Sequence, residues 1–469
     1  MIDLDDQLTA YSEYLDDTER RVVVLRPARL DGTPAGGRRT VALIAAGVIA
    51  IAGVTAVAVV ARDRGPAGVA TTDDTEWTVV PDPNGVFTPT EDGSQAGSET
   101  SGSSSDSAIR VTSVESLDDG FVAVGLERQG MAQIGAIWTS ANGDSWERIP
   151  HDASFGVEGF SDDPSDVGPT MWDVAERNSR VVVAGSERPT SEAMVWISDD
   201  LESWHVVDLG TSGPGRPTSI AAGTRGFAMV GIDEGDADTA DNAVGWFSTN
   251  GESWEVATFE NAWGARVSDV IALGDGFLAS GSSGSMAAVW TSDDGLDWQL
   301  ADVEQTPRIG LNFTSIDSVV EFDGVLYGYG RAGTSSDPVL DVGQFADTVQ
   351  PALWTSADGL VWTSSSPVEY EANTVRFPGQ FVSTAVGLIG FGVEFTSDGG
   401  IHQFELRSED GVRWTERDLD LPGTRYAAAF RDGTAVALGE AEDRGFATVE
   451  SGDPDESAGA FTAWILHTG

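Results

Sequence analysis

The sequence predicts an all-β fold: a seven-bladed β-propeller of four-stranded antiparallel blades, preceded by a single transmembrane helix. Three observations carry this. A nine-residue pattern recurs along the chain, each copy follows the same two strand-like segments, and two orphan half-units stand at opposite ends. Together they divide the chain into a cytoplasmic tail (1–40), a membrane span (41–60), a linker (61–75) and the propeller (76–469), with a Gly/Ser-rich insertion at 81–108.

The recurring pattern reads "WTSANGDSW" (138–146), "WISDDLESW" (196–204), "WFSTNGESW" (246–254), "WTSDDGLDW" (290–298), "WTSADGLVW" (354–362) and "LRSEDGVRW" (406–414). Ser140, Asn142, Gly143 and Trp146 fill the first copy, and Trp204 and Trp254 end the next two. Asp293, Gly295 and Trp298, then Asp358, Gly359 and Trp362, then Asp410, Gly411 and Trp414 fill the rest. The final tryptophans lie 44 to 64 residues apart, a spacing that marks a repeat array. Chemically the pattern suits a hairpin. Asp, Asn and Ser side chains accept hydrogen bonds from nearby backbone N–H groups, and Gly supplies a positive φ. The tryptophan then serves as an apolar plug between blades. Calcium fits poorly: a loop counted from Asp293 puts Glu304 at the twelfth place, but Gly295 at the third and Trp298 at the sixth.

Before each copy runs a strand ending in glycine, for instance "GFVAVG", "GFAMVG" and "GVLYGYG". Earlier still comes a segment of small and apolar residues: "VTSV", "MWDV", "PTSI", "VSDV", "FTSI", "FVST" and "RYAA". Each unit is thus a meander of four strands. The last unit stops at "FTAWILHTG", where Trp464 takes the first-Trp place with no strand after it. "EWTVVP" (76–81) matches "SWERIP" but lacks preceding strands. Joined, the halves make a seventh blade, and pairing first with last strand closes the ring without a free edge.

These residues resemble the Asp-box, or BNR, repeat of sialidase-like propellers, roughly Ser/Thr-x-Asp-x-Gly-x-x-Trp. Thr291, Asp293, Gly295 and Trp298 fit that spacing; the other copies fit better as Ser-x-Asp/Asn-Gly-x-x-Trp, as in Ser356, Asp358, Gly359 and Trp362. The resemblance covers residues 109–469 and the 76–81 strand, and it implies architecture more than activity. Sialidases hold their substrate carboxylate with three arginines and use a Tyr–Glu pair and an Asp. Arg110, Arg266 and Arg425 begin inner strands, and Tyr426 follows, but the family's Arg-Ile-Pro segment before the first box is missing. Sialidases also have six blades where the repeats here count seven.

Residues 41–60, "VALIAAGVIAIAGVTAVAVV", are uncharged and long enough to cross a bilayer. Arg20, Arg21, Arg26, Arg29, Arg38 and Arg39 precede them, which places the N-terminus in the cytoplasm and the propeller outside a bacterial cell. A cleaved signal peptide is the alternative; the 40-residue polar leader favours a retained anchor. The formal charge of −50 excludes nucleic acid as a partner, and the absence of Cys excludes disulfides and thiolate metal sites. No metal and no cofactor is expected: the four histidines lack ligand spacing, and "DEGDADTAD" (233–241) reads as a solvated acidic loop.

With the repeated turns on one face, function is expected on the other, which carries the long loops 150–168, 233–242, 331–350, 363–379 and 440–459. The ligand-binding candidates are Trp172, Trp263, Arg266, Arg376 and Arg425, and no residue is assigned to catalysis. The expected function is a non-catalytic module, tethered through 41–60, that binds a protein or a cell-envelope glycan. The alternatives are a glycoside hydrolase of the sialidase type and a transmembrane sensor whose tail binds a regulator.

Overall fold

A computed structural model describes residues 61–62, 77–80, 107–129, 132–156, 168–187, 192–207, 209, 215–233, 241–305, 313–333, 349–365, 374–396, 401–419, 424–440 and 461–467. The tail, the apolar run 41–60 and most of the linker and insertion lie outside these residues. No helix among the described residues is long and apolar enough to cross a membrane.

The described strands form seven antiparallel sheets in sequence order, which makes the protein a seven-bladed propeller. Blade one runs Ser107–Leu117, Gly120–Gln129, Ala132–Ser140 and Glu147–Arg148, from the axis outward. Blade seven is the split one: Thr424–Arg431, Thr434–Glu440 and Phe461–His467 come from the end of the chain, and Thr78–Val79 from the beginning. In the closing pair Thr78 faces Ile465 and Val79 faces Trp464, and Val80 N–H donates to the Ala463 carbonyl at 2.8 Å. Three sheets gain a short parallel strand at the outer edge that the repeat pattern does not announce. Thr258–Phe259 adds to blade four, Asp302–Val303 to blade five and Ala61–Arg62 to blade six.

Apolar burial sits between blades. Seven hydrophobic clusters each straddle one pair of neighbours; the one between blades seven and one unites Val80, Trp138, Trp146, Val436 and Ile465. Trp77 takes the seventh motif-tryptophan place, 4% exposed, edge-on to Phe391 of blade six. Its indole N–H donates at 2.5 Å to Glu405, a fully buried carboxylate that Arg407 also grips. The closing strand is therefore held by blade six as well as by its own sheet.

The motif builds one turn six times, complete in five copies and without the indole bond in the sixth, where Trp414 Nε1 has no partner among the described residues. In the fourth copy the Ser292 hydroxyl accepts from Gly295 N–H at 2.9 Å, Asp294 Oδ1 accepts from Leu296 and Asp297, and the Trp298 indole donates to the Gly295 carbonyl at 3.2 Å. Asp293, the carboxylate expected here from the sequence, is exposed; Asp294 does its work, one residue on, as Asp358 and Asp410 do in their copies. The glycine has two duties. Its φ is 80° in Gly295 and 69° to 82° in the other four glycine copies, with Leu201 forced to 59° in the second. It also faces the preceding blade closely enough to exclude a side chain: a Cβ on Gly295 would lie 2.3 Å from the Phe247 ring, and one on Gly143 would lie 2.5 Å from Val436.

Two inner strands differ from the sequence alignment. Each inner strand carries a bulge, and in blades one to four and seven it falls at Thr112, Trp172, Thr218, Ser268 and Tyr426, as the aligned segments imply. In blade five it falls at Asp317, so "IDSV" and not "FTSI" occupies the shared register, three residues later. In blade six it falls at Gly379–Gln380, three residues before the aligned "FVST" segment implies. Register is set by which backbone groups meet the neighbouring blade, and a local likeness such as "FTSI" to "PTSI" does not reveal that.

A Gly295→Ala variant is expected to lose about 2–4 kcal/mol, combining positive-φ strain with overpacking. Gly274→Ala, with φ of 58° but open space around it, is expected to lose only about 1 kcal/mol. Thermal melting of the two variants checks the order.

Candidate functional site: the loop-face mouth of the channel

Inner strands start at the loop face, so their first residues and bulges surround the channel mouth. Thr112 of blade one donates to the Met171 carbonyl of blade two at 2.7 Å, and Thr218 of blade three donates to Val267 of blade four at 2.8 Å. Hydroxyls at the bulge thus staple neighbouring blades together. Trp172 stands at the same place in blade two and does something else. It is half-buried, its indole N–H donates to Ser186 at 2.9 Å, and the Arg216 guanidinium of blade three sits 5.0 Å from its ring centroid. That distance is a cation–π contact.

The remaining candidates do not converge on Trp172 in any contact among the described residues. Arg266 begins the inner strand of blade four, more than half exposed, and its Nε is engaged by Asp241. Trp263 lies on the connection into blade four, 77% exposed. Arg376 and Arg425 lie on the inner strands of blades six and seven, backbone partners of Glu394 and Gly439; their side chains are outside the described residues. Arg110, Arg216 and Arg266 share one register, three residues before the ring position described next, whereas Arg425 is one residue out of it. Of the acidic loop 233–241, only Asp233 and Asp241 are described.

Immediately after the bulge, blades one to five carry a polar residue, Ser113, Asp173, Ser219, Asp269 and Ser318; in blade six Gln380 of the bulge itself takes this place, and blade seven has Ala427. Ser113 donates to Asp173 at 2.6 Å, and the other oxygen of Asp173 accepts from Ile220 N–H at 2.8 Å. Asp269 repeats this with Ser219 and with Val319 N–H, and Gln380 accepts from Ala428 N–H at 2.8 Å. These carboxylates are hydrogen-bonded on both oxygens by neighbouring blades, so they are committed to holding the ring.

Two positions further along, six blades carry Ala175, Ala221, Ile271, Val320, Val382 and Ala429, and blade one carries Glu115. Glu115 is exposed in that column, yet protein packs densely around its carboxyl, with Asp173 and Asp269 as charged neighbours. Burial, then repulsion from Asp173, pushes its pKa up to about 8. Burial likewise raises Asp269 to about 6 and raises Asp173. Sequence reasoning missed Arg216 and Glu115. Arg216 carries no local signal, because its partner belongs to another blade; Glu115 shows only when the inner strands are aligned column by column. Among the described residues no group of His, Asp and Glu is placed to hold a metal ion.

No family model and no curated protein matches the chain. Among solved structures it is similar to a thermostable family-43 glycoside hydrolase (13% identity, TM-score 0.34, 52% of this chain and 91% of that one). It is similar to a mutant of the Cellvibrio cellulosa α-L-arabinanase (10%, 0.33, 52% and 93%). It is also similar to the Trypanosoma rangeli sialidase in complex with the inhibitor DANA (12%, 0.38), covering 77% of this chain and 55% of that one. At such values no step of the fold or of the function rests on these likenesses.

Acidity acts on the two carboxylate sets in opposite senses. Glu115 holds its proton more tightly in the fold, so its stabilisation is full below its usual 4.5 and is lost as pH rises towards 8. The turn carboxylate of Asp410, lowered to about 2 by the N–H groups of Arg413 and Val412, contributes stability above its usual 3.8 that is lost as pH falls. The melting temperature is therefore expected to rise from pH 8 to about pH 5 and to fall below about pH 3.8. Relief of surface repulsion also favours low pH, so the discriminating variant is Glu115→Gln. It is expected to flatten the rise near neutrality while leaving the acid fall; an unchanged profile would show that Glu115 is not responsible.

Proposed function

We propose that this chain is a membrane-tethered, extracytoplasmic binding module, held by residues 41–60, whose loop face engages a protein or a cell-envelope glycan. The observation that carries this reading is Trp172 beneath Arg216. Repetition argues for structure, since whatever every blade has serves the ring. Departures from the repeat are where a single function resides. At the bulge, blades one and three use threonine to staple their neighbours, whereas blade two places a large aromatic capped by a cation at the mouth of the channel. An indole edge together with a guanidinium suits a ligand that offers both a flat or apolar face and hydrogen-bond acceptors.

The six turns and the split seventh blade also support reading the repeats as Asp-boxes. In them the Ser hydroxyl and the Asp or Asn oxygen hold the backbone, and the tryptophan wedges blades apart from the ligand face. A non-catalytic role is supported by the double hydrogen bonding of Asp173 and Asp269, which leaves neither as an unengaged base. One observation favours the glycoside hydrolase alternative. Glu115, raised to about 8, has Asp269, raised only to about 6, as a charged neighbour, the kind of contrast acid–base hydrolysis uses.

Two measurements separate these readings. Full-length protein immobilised over envelope extract is expected to retain a discrete protein or glycan that Trp172→Ala and Arg216→Ala both release and Gly274→Ala does not. Equal retention by all four proteins would sink the proposal. On fluorogenic glycosides the chain is expected to give no turnover; turnover that disappears in Glu115→Gln or Arg266→Ala would establish the hydrolase instead.

A further inference from the structure

Trp263 is the most exposed large apolar side chain among the described residues, at 77%. Its indole has no hydrogen bond and no ring contact among them, whereas five of the six turn tryptophans donate to their own turn. The backbone beneath it is nonetheless fixed. Trp263 bridges to Asn242, Gly264 N–H donates to the Asp241 carbonyl at 2.7 Å, and Gly284 N–H donates to the Gly264 carbonyl at 2.7 Å. Ala243 and Ala265 both donate to Ala262, at 3.0 and 3.1 Å. A fixed backbone beneath an exposed aromatic lowers the ordering cost of binding.

The surroundings select the ligand. A Cβ on Gly284 would meet nothing within 4 Å, and one on Gly264 would meet only the Gly284 nitrogen, at 3.9 Å, so the backbone adjoining Trp263 is open on both glycines. The nearby chain supplies the hydrogen-bonding residues Asn242, Ser283 and Ser285, with Met286, 44% exposed, next along the chain. The nearest described cation, Arg266, is engaged by Asp241. A flat apolar platform with hydroxyl- and amide-bearing residues on the adjoining backbone matches a pyranose with equatorial hydroxyls, whose C–H face lies on the ring while its rim hydrogen-bonds. The chain's charge of −50 opposes uronic and other acidic sugars.

We propose that Trp263, on the connection into blade four, is a binding platform for a neutral, equatorially linked glycan. The site is separate from the Trp172–Arg216 contact and does not depend on it. Its test is isothermal titration of the full-length chain, in a detergent without sugar headgroups, with cellohexaose and chitohexaose as neutral probes and tetragalacturonate as the acidic one. At least one neutral probe is expected to bind, with affinity reduced tenfold or more by Trp263→Ala, retained by Trp263→Phe and unaffected by Trp172→Ala. Preferred binding of the acidic probe, binding by Trp263→Ala equal to wild type, or no binding of either neutral probe would overturn it. Loss in Trp172→Ala alone would assign the sugar to the channel mouth. Failure here with the envelope ligand still released by Trp172→Ala would leave the mouth site standing and remove this one.

Discussion

Everything in this molecule depends on the contact between neighbouring blades. A four-stranded blade has two faces to cover and no helix to cover them, so each sheet must lie on the next one, and the seventh must return to the first. The seven apolar clusters lie at these seven junctions. Closure falls to a short N-terminal strand, Thr78–Val79, flanked by Trp77 and Val80, both buried. Glu405 extends that attachment into blade six, where its burial is tolerable because Trp77 and Arg407 hydrogen-bond to it. With no cysteine in the chain, no disulfide can substitute for this packing.

Once the ring is closed, its repeated positions are used up. Turn serines and carboxylates hold hairpins, turn glycines admit the preceding blade, and the polar ring of Asp173, Asp269 and Gln380 ties inner strands to their neighbours. Function is therefore sought where one blade departs from the rest. Trp172 departs at the bulge, Glu115 departs in the aliphatic column behind it, and Trp263 departs on a blade connection. The three lie at different points and have different chemistry: a cation-capped indole, a carboxyl that keeps its proton, and an uncovered ring.

The fold was legible because its signals are local. Spacing of Ser, Asp or Asn, Gly and Trp within nine residues is readable without knowing what lies across space, and the orphan strand at 76–81 reveals closure by elimination. The errors are equally physical. Adjacent carboxylates at Asp293 and Asp294 compete for one place, and only the backbone N–H groups of Leu296 and Asp297 decide between them. The bulges of blades five and six are set by the neighbouring blade, so "FTSI" and "FVST" misled. At the site, Trp172 and Trp263 stood out as tryptophans beyond the repeat. The partnership of Arg216 with Trp172 crosses from one blade to the next and leaves no mark in either local sequence. The membrane span expected over 41–60 lies outside the described residues.

The central claim is that the propeller is completed by its N-terminal strand. The direct measurement is a comparison of thermal unfolding between a chain beginning at residue 76 and one beginning at residue 107. The first keeps Trp77–Val80 and is expected to melt cooperatively at the temperature of the full-length protein. The second loses them, baring the edge of Phe461–His467 and leaving Glu405 without its indole partner. It is expected to melt well below the first or to aggregate. Equal melting of the two would contradict the account.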